Sequence, residues 1–378
     1  MALLATIAAT AAIWAAFLRG GETGGSPLAS EQRAGVSPPV AALVRGMSPD
    51  QLVDQVLLLG FDGTDATSPA ITELRERQIG GVLVGPANWV DASQGATLIS
   101  ALRGAGLAGG RIPPLIVTAQ EGGEYRTFPD LPPDARERDI GEGGSPRAAE
   151  AWSKAAGEAL RAVGVDLNLF PVADVATVDS PVAGRAFSDD AATAAEMTAA
   201  AVRGCQDAGI ACAVLHFPGL GAASQDTNEG PATVSLDERS LAERDLAAFR
   251  AAFAERVPAV VLSLAFYAAY DPVTPGAMSS EIATDLLRDQ LGYPGPAITD
   301  DLGAGAVKAT YKVPAAATMA IAAGADLLQI DSPADQTGVR EALLHAVSSG
   351  VLPEARLQEA AGRVLELKRR MGLLKGSL

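Results

Sequence analysis

The chain has 378 residues, and 45 acidic against 29 basic side chains give it a net charge of −16. Hydrophobic residues make up 48% of the chain, so a large buried core is possible and extensive disorder is excluded. Because nucleic acids and anionic membrane surfaces attract basic patches, the acidic balance argues against both as partners. The two cysteines are too few for a cysteine-rich zinc site, and no residue set indicates a metal, a nucleotide or another cofactor.

The chain begins with an uncharged apolar run, Leu3–Leu18. We divide the sequence into a signal or anchor segment (1–18), a flexible Gly/Ser/Pro-rich linker (19–46) and one globular domain (47–378). The run is slightly short for a transmembrane helix and long for the apolar part of a signal peptide, so both alternatives stay open beside a buried helix. We expect a secreted or membrane-anchored extracytoplasmic protein that touches a membrane only through residues 3–18.

Short apolar runs alternate with helical patterns from Ser48 onward. The runs predicted to be strands are Val56–Gly60, Gly81–Gly85, Pro114–Thr118, Asp166–Val172, Cys212–Phe217, Ala259–Leu264, Pro296–Thr299 and Asp326–Ile330. The main predicted helices are Ala148–Val163, Ala191–Ala208, Leu241–Ala254, Ser279–Gln290, Ala315–Ala323 and Leu352–Met371, with Ser48 and Pro49 starting another.

Eight strands, each followed by a helix or a long loop, predict an α/β fold of the (β/α)8 TIM-barrel type. Continuous hydrophobic strands are typical of a parallel sheet that is buried on both faces. A doubly wound open sheet is the alternative, but no Gly-x-Gly-x-x-Gly turn follows the first strand. In a barrel, the residues after each strand lie at the face where active sites are found.

Polar residues follow several of these strands. They are Arg126 after the third, Arg185 after the fourth, His216 and Asp226 at and after the fifth, and Asp300 after the seventh. Because parallel strands end at one rim, these side chains are predicted to gather there.

Five motifs in this order resemble glycoside hydrolase family 3. They are Ile-Gly-Gly-Val-Leu (79–83), Gln-Glu-Gly-Gly (120–123), Pro-Val-x-Asp-Val (171–175), His-Phe-Pro-Gly (216–219) and Ile-Thr-Asp-Asp-Leu (298–302). From about Ser48 to Leu374 the chain looks like the single-domain β-N-acetylhexosaminidases that trim cell-wall fragments. The resemblance implies a retaining hydrolase of β-linked N-acetylhexosamine in peptidoglycan-derived glycans, including muropeptides. It also implies that Asp300 is the nucleophile and that Arg185 and His216 bind the sugar.

The chain departs from the family's pattern at several polar positions. The loop dyad whose histidine acts as general acid/base is here Asp226-Thr227-Asn228, so the histidine is replaced by Asn228. Other replaced positions are Ala119, Glu124, Leu215 and Leu220. An amide cannot transfer a proton, which leaves Asp226 as a substitute acid if burial raises its pKa. Two hypotheses therefore stay open: a weakened hydrolase, and a catalytically silent barrel that binds an envelope glycan or a protein partner.

Four further polar residues near the strand ends could bind substrate or support the local structure. Glu121 and Arg126 are candidates for substrate binding, although Glu121 is expected mainly to organise the turn at Gly122-Gly123. Asp174 is expected to bond a neighbouring loop, and Asp301 to support Asp300.

The cysteines and the second histidine are not expected to take part in catalysis. Cys205 and Cys212 are expected to be buried thiols, with a disulfide left open if the domain is exported. His345 is predicted on an outer helix, far from the strand ends. We expect the protein to be a monomer.

Overall fold

The computed structural model describes residues 35–374, so the predicted signal or anchor segment lies outside the described residues. The strands are β1 Leu57–Leu59, β2 Gly81–Leu83, β3 Leu115–Thr118, β4 Leu167–Val172, β5 Ala211–Phe217, β6 Thr233–Val234, β7 Ala259–Leu262, β8 Phe266–Tyr267, β9 Ala297–Thr299 and β10 Leu328–Ile330. Eight of them form one parallel sheet in the order β10-β1-β2-β3-β4-β5-β7-β9, while β6 and β8 pair separately. Each strand predicted from the sequence is present in the eight-stranded sheet, with ends that differ by at most two residues.

The two end strands of the sheet, β9 and β10, meet and close the barrel. Ile298 and Leu327 form a parallel bridge. Thr299 N donates to Leu327 O at 2.9 Å, and Asp326 N donates to Ala297 O at 2.8 Å. The predicted (β/α)8 barrel is confirmed.

Helices surround the strands. They are α1 Pro38–Arg45, α2 Pro49–Gln55, α3 Pro69–Glu76, α4 Ala92–Leu107, α5 Glu137–Glu142, α6 Pro146–Ala162, α7 Ala191–Ala208, α8 Glu238–Glu243, α9 Asp245–Ala254, α10 Gly305–Lys308, α11 Val313–Ala323, α12 Pro333–Ser348 and α13 Glu354–Arg370, with a π-helix over Glu281–Gln290. Ser48 caps α2 as predicted, because its hydroxyl accepts from Gln51 N at 3.3 Å. The helix predicted over Leu241–Ala254 is interrupted at Arg244.

The predicted linker is wrong over its last residues, because Pro38–Arg45 is a helix. Val40 and Val44 on α1 are buried. Ser37 Oγ, just before the helix, donates to Glu366 Oε2 on α13 at 2.7 Å. The prolines at 38 and 39 suggest a linker in the sequence, yet proline also fits the first helical turn, where the N–H has no partner within the helix.

Nothing among residues 35–374 has the length and apolar character of a membrane-crossing helix.

A buried charge cluster holds the end of the barrel opposite the predicted active site. Asp326, which lies before β10, is fully buried and accepts hydrogen bonds from Arg288, Arg356 and Arg363 at 2.7, 2.7 and 2.9 Å. It also accepts from Ala297 N at 3.0 Å, which ties it to β9. Although burial alone would raise it, the three guanidinium groups hold the pKa of Asp326 below its usual value.

Replacing Asp326 tests how much this cluster stabilises the barrel. We expect Asp326→Asn to lower the free energy of unfolding by about 3–5 kcal/mol, since three cations lose their buried counter-charge. Urea unfolding at neutral pH measures the loss. The control is Glu243→Gln, which breaks an exposed pair with Arg239 and is expected to cost about 0.5 kcal/mol or less. Equal losses in the two variants would contradict a stabilising role for the cluster.

Candidate active site

A hydrogen-bonded chain of four buried or partly buried side chains lies at the carboxyl ends of β3, β4 and β5. Arg185 donates through Nε and Nη2 to the two carboxylate oxygens of Glu121, at 2.7 and 2.8 Å. Its Nη2 also lies 3.4 Å from Nε2 of His216. His216 Nδ1 is 2.7 Å from Asp174 Oδ2. A bidentate pair of this kind fixes the orientation of the guanidinium plane as well as its position.

Asp174 fixes the proton of His216. Its Oδ1 accepts from Leu220 N at 2.7 Å and from His216 N at 3.3 Å, and its Oδ2 faces the imidazole. An ionised carboxylate only accepts hydrogen bonds, so Nδ1 carries the imidazole proton and Nε2 presents its lone pair to Arg185. Asp174 therefore bonds the loop after β5, as interpreted from the sequence, and also orients His216.

Asp300 follows β9 directly and is partly exposed. Its Oδ1 accepts from Asp301 N at 2.9 Å, whereas Oδ2 has no hydrogen-bond partner in the part of the chain that is described. Burial alone would lower the pKa of Arg185, but the carboxylate of Glu121 and then the charge of Asp300 raise it above its usual value. Asp300 and Arg185 thus face a common mouth, where the sequence predicts them.

Asp301 supports the turn that carries Asp300. Its Oδ1 accepts from Gly303 N at 2.9 Å and from Asp331 N at 3.1 Å. These contacts join the turn after β9 to the end of β10. Asp331 is not among the predicted site residues, although its place directly after the eighth predicted strand is a signal that could have selected it.

Glu121 has a role that the sequence does not reveal. It holds Arg185 through both oxygens, whereas the sequence suggests a turn organiser or a substrate ligand. The two residues are 64 positions apart, and only the ring of strands brings them together.

Arg126 lies in the loop after β3 and is engaged within that loop. It donates to Gly123 O at 2.8 Å, to Asp134 Oδ1 at 2.5 Å and to Leu131 O at 3.4 Å. None of the hydrogen bonds described for it reaches the chain of side chains around Arg185, so its role in substrate binding stays a prediction.

The loop with Asp226 is attached to the segment after Asp300. Gly305 N donates to Asn228 O at 3.1 Å, and Ala306 N donates to Thr227 O at 2.9 Å. Asp226 is only partly buried, and its Oδ1 accepts from Asn228 N at 2.8 Å. The burial that would favour Asp226 as an acid is therefore incomplete.

Glu137, the first residue of α5, is a buried carboxyl beneath the site. Its Oε1 accepts from Val172 N at 3.0 Å, and its Oε2 is buried without a partner within residues 35–374. Burial, and then the charge of Glu121, raise the pKa of Glu137 well above its usual value. The sequence gives no sign of this burial, because Arg136-Glu137-Arg138-Asp139 has the pattern of an exposed charged turn.

The sequence of this chain is similar to sequences of known proteins over most of its length. Residues 51–367 match the family model described as the glycosyl hydrolase family 3 N terminal domain. The chain belongs to glycosyl hydrolase family 3. It is 33% identical over 323 residues to a beta-hexosaminidase of Stenotrophomonas maltophilia (strain K279a), with 82% of this chain and 91% of the relative covered.

Two further proteins are similar to this chain. A glycoside hydrolase family 3 beta-N-acetylglucosaminidase from Paenibacillus sp. str. FPU-7 has a TM-score of 0.83 at 32% identity. The match covers 87% of this chain but 63% of that chain, so this chain spans less than two thirds of it. An "Uncharacterized secreted glycosyl hydrolase" of Arthroderma benhamiae (strain ATCC MYA-4681 / CBS 112371) is 28% identical, with 90% and 98% covered.

The positions at which this family 3 chain departs from the pattern include two leucines in the hydrophobic core. Leu215 and Leu220 are buried, so neither offers a polar group to a sugar. Ala119 is partly buried, and Asn228 is exposed. His345 is exposed on α12, as predicted, and is not an alternative proton donor at the mouth.

The cysteines are free and buried, which confirms the sequence prediction. A hydrogen bond with Cys205 and burial raise the pKa of the Cys212 thiol well above its usual value. Such thiols are unreactive, and they have no part in the site.

The buried Glu137 gives a pH-dependent test of this electrostatic description. Its folded-state pKa lies above its ordinary value of 4.5, so it stabilises the fold fully below about pH 4.5 and loses that contribution as the pH rises. Glutamine at this position cannot ionise, so Glu137→Gln does not lose this contribution as the pH rises. Above about pH 4.5 we therefore expect the difference in unfolding free energy, Glu137→Gln minus wild type, to increase by up to about 1.4 kcal/mol per pH unit. Urea unfolding at several pH values between about 4 and 8 measures the difference. With Glu142→Gln, an exposed change on the same helix, no such divergence is expected, and parallel curves for Glu137→Gln would contradict the prediction.

Proposed function

We propose that this family 3 protein is a retaining glycosidase that hydrolyses β-linked N-acetylhexosamine, with Asp300 as the nucleophile. The named activities of the Stenotrophomonas and Paenibacillus relatives support this substrate class. The observation that carries the proposal is the free Oδ2 of Asp300 in the mouth shared with Arg185. Retaining hydrolysis needs such a carboxylate oxygen to attack the anomeric carbon and form a covalent intermediate.

Arg185 is proposed to bind a sugar hydroxyl. Its Nε and Nη2 are engaged by Glu121 and His216, and in the described residues Nη1 has no partner. The pair with Glu121 holds the guanidinium in one orientation before the sugar arrives, so little side-chain entropy is lost on binding. In this proposal Glu121 is a positioning residue, and His216, held by Asp174, completes the support.

Proton transfer is the weak point of this site. His216 is committed to Asp174 and Arg185, His345 is exposed on an outer helix, and Asn228 cannot exchange a proton. General acid–base catalysis is typically worth about 10²–10⁴-fold in rate. We therefore expect slow turnover, with Asp226 as the first substitute donor indicated by the sequence.

We further propose that the substrates are peptidoglycan-derived glycans, including muropeptides, and that the protein acts as a monomer outside the cytoplasm. The secreted relative of Arthroderma supports an extracytoplasmic location. The apolar run at residues 3–18 agrees with export or anchoring and would be the one contact with a membrane.

The second candidate is a catalytically silent barrel that binds an envelope glycan or a protein partner. Asn228 in place of a titratable group favours it, because binding does not need a proton donor. Calorimetric titration with N-acetylglucosamine and anhydromuropeptide fragments separates the candidates when it is run beside a turnover assay. Binding without turnover would support the silent barrel and contradict the glycosidase.

Turnover of 4-nitrophenyl N-acetyl-β-D-glucosaminide tests the role of Asp300. We expect slow release of nitrophenol by the wild type and a fall of about 10³-fold or more in Asp300→Ala, because no other carboxylate replaces the nucleophile. Glu243→Gln, on the outer surface, is the control and should match the wild type. A slow fluorinated glycosyl donor should leave a covalent adduct on Asp300 that mass spectrometry detects. An adduct on another residue, or full activity in Asp300→Ala, would refute the assignment.

A further inference from the structure

Tyr125 is the one aromatic side chain that is exposed among residues 35–374. Every other aromatic side chain in that range is buried or partly buried, whereas 36% of Tyr125 is accessible to solvent. No aromatic ring or guanidinium group of the described residues stacks on it, and its hydroxyl has no hydrogen-bond partner there. An apolar ring with a polar tip is therefore available to a ligand at this point.

The main chain of Tyr125 lies beside Glu121. The loop after β3 folds back on itself through an antiparallel bridge between Gln120 and Arg126. Within this bridge, Glu121 N donates to Tyr125 O at 3.3 Å. The backbone of Tyr125 is thus fixed next to the residue whose carboxylate holds Arg185.

The side chain of Tyr125 reaches the loop after β4. A Cβ placed on Gly184 would lie 2.5 Å from the Tyr125 hydroxyl oxygen and 3.2 Å from each of two ring carbons, so the ring packs directly against this glycine. Gly184 is the residue before Arg185. The ring therefore spans the two loops that carry the pair of Arg185 and Glu121. Since Glu121 is buried and Tyr125 is exposed, the ring lies on the solvent side of that pair.

The charged groups around Tyr125 are engaged with one another. Arg136 pairs with Asp139 at 2.6 Å and lies 3.7 Å from Glu124. Arg126, the next residue along the chain, is held by its own loop. These contacts leave the ring of Tyr125 to an uncharged ligand.

We propose that Tyr125 forms a second subsite, in which its ring stacks on the sugar next to the one bound by Arg185. The inference rests on the proposed function and deepens it, because it makes glycans of two or more sugars the preferred ligands. The C–H groups on one face of a pyranose ring are apolar, and an aromatic side chain offers them a flat surface of matching size. The hydroxyls at the edge of that sugar stay in contact with water, which suits a ring that is only partly covered.

The position of the ring favours such a contact energetically. Both the backbone of Tyr125 and its contact with Gly184 are present before a ligand arrives. Little side-chain entropy is therefore lost when a sugar stacks on it. Because the ring is separate from the atoms that bind the first sugar, its removal should affect only ligands long enough to reach it.

Calorimetric titration of the full chain carrying Asp300→Ala tests the subsite, because this substitution removes the proposed nucleophile and keeps the ligand intact. The probes are N-acetylglucosamine, which has one sugar, and N,N′-diacetylchitobiose, which has two. We expect the disaccharide to bind more tightly than the monosaccharide, and Tyr125→Ala to weaken binding of the disaccharide by about 3–10-fold. The affinity for the monosaccharide should not change, since Arg185 and its partners are kept.

Two further variants separate stacking from other effects of the substitution. Tyr125→Phe keeps the ring and should keep the affinity for the disaccharide. Leu107→Ala removes another exposed apolar side chain, at the last residue of α4 and so at the opposite end of the barrel, and should leave both affinities unchanged. An equal loss of affinity for both sugars in Tyr125→Ala would show damage to the site around Arg185 and would overturn the subsite.

The outcomes separate this inference from the proposed function. Unchanged affinity for the disaccharide in Tyr125→Ala, or a loss in Tyr125→Phe as large as in Tyr125→Ala, would overturn the inference alone. A loss confined to the disaccharide, together with a wild type that releases no nitrophenol, would support the subsite and contradict the glycosidase. Absence of binding of either sugar, in the wild type and in Asp300→Ala, would overturn the proposed function and this inference together.

Discussion

The parallel direction of the eight barrel strands is the constraint on which the site depends. The strands are mostly apolar and all run the same way, and Glu121, Arg185, His216 and Asp300 lie at or after their carboxyl ends. These four side chains therefore share one rim despite their separation in sequence. The seam between β9 and β10 completes the ring, and the arginines around Asp326 hold its opposite end. Packing of hydrophobic strands thus determines where the charged groups meet.

The charged groups at the rim lie in different surroundings, and their pKa values are shifted by different causes. Against the effect of burial, the carboxyl groups of Glu121 and Asp300 raise the pKa of Arg185, while burial and then the charge of Glu121 raise the pKa of Glu137 beneath it. Just after β10, desolvation and then the charges of Asp301 and Asp300 raise the pKa of Asp331 to about 7. Burial and neighbouring charges thus shift the pKa values of the carboxyl groups around this rim in ways that their sequence does not indicate.

The sequence predicts the fold well because the fold depends on local, repeated signals. Apolar runs of four to seven residues mark the strands, and the strand-end motifs place Asp300 and Arg185 at one mouth, as the structure has them. The pairing of Glu121 with Arg185 and the burial of Glu137 could not be predicted, since both arise from contacts between distant segments. Pro38–Arg45 shows a local ambiguity, because adjacent prolines suit a linker and a first helical turn equally.

The attachment of the loop around Asn228 bears on whether this site is a weakened enzyme or a silent one. A proton donor carried on a loop has to approach the glycosidic oxygen, yet this loop is hydrogen-bonded through its backbone to Gly305 and Ala306, just after Asp300. A loop held in this way can shape the mouth, but it offers Asn228 where a proton would be needed. Groups on the strand ends need no such approach, because the barrel already fixes them. Catalysis in this chain therefore requires a proton donor other than the side chain at position 228.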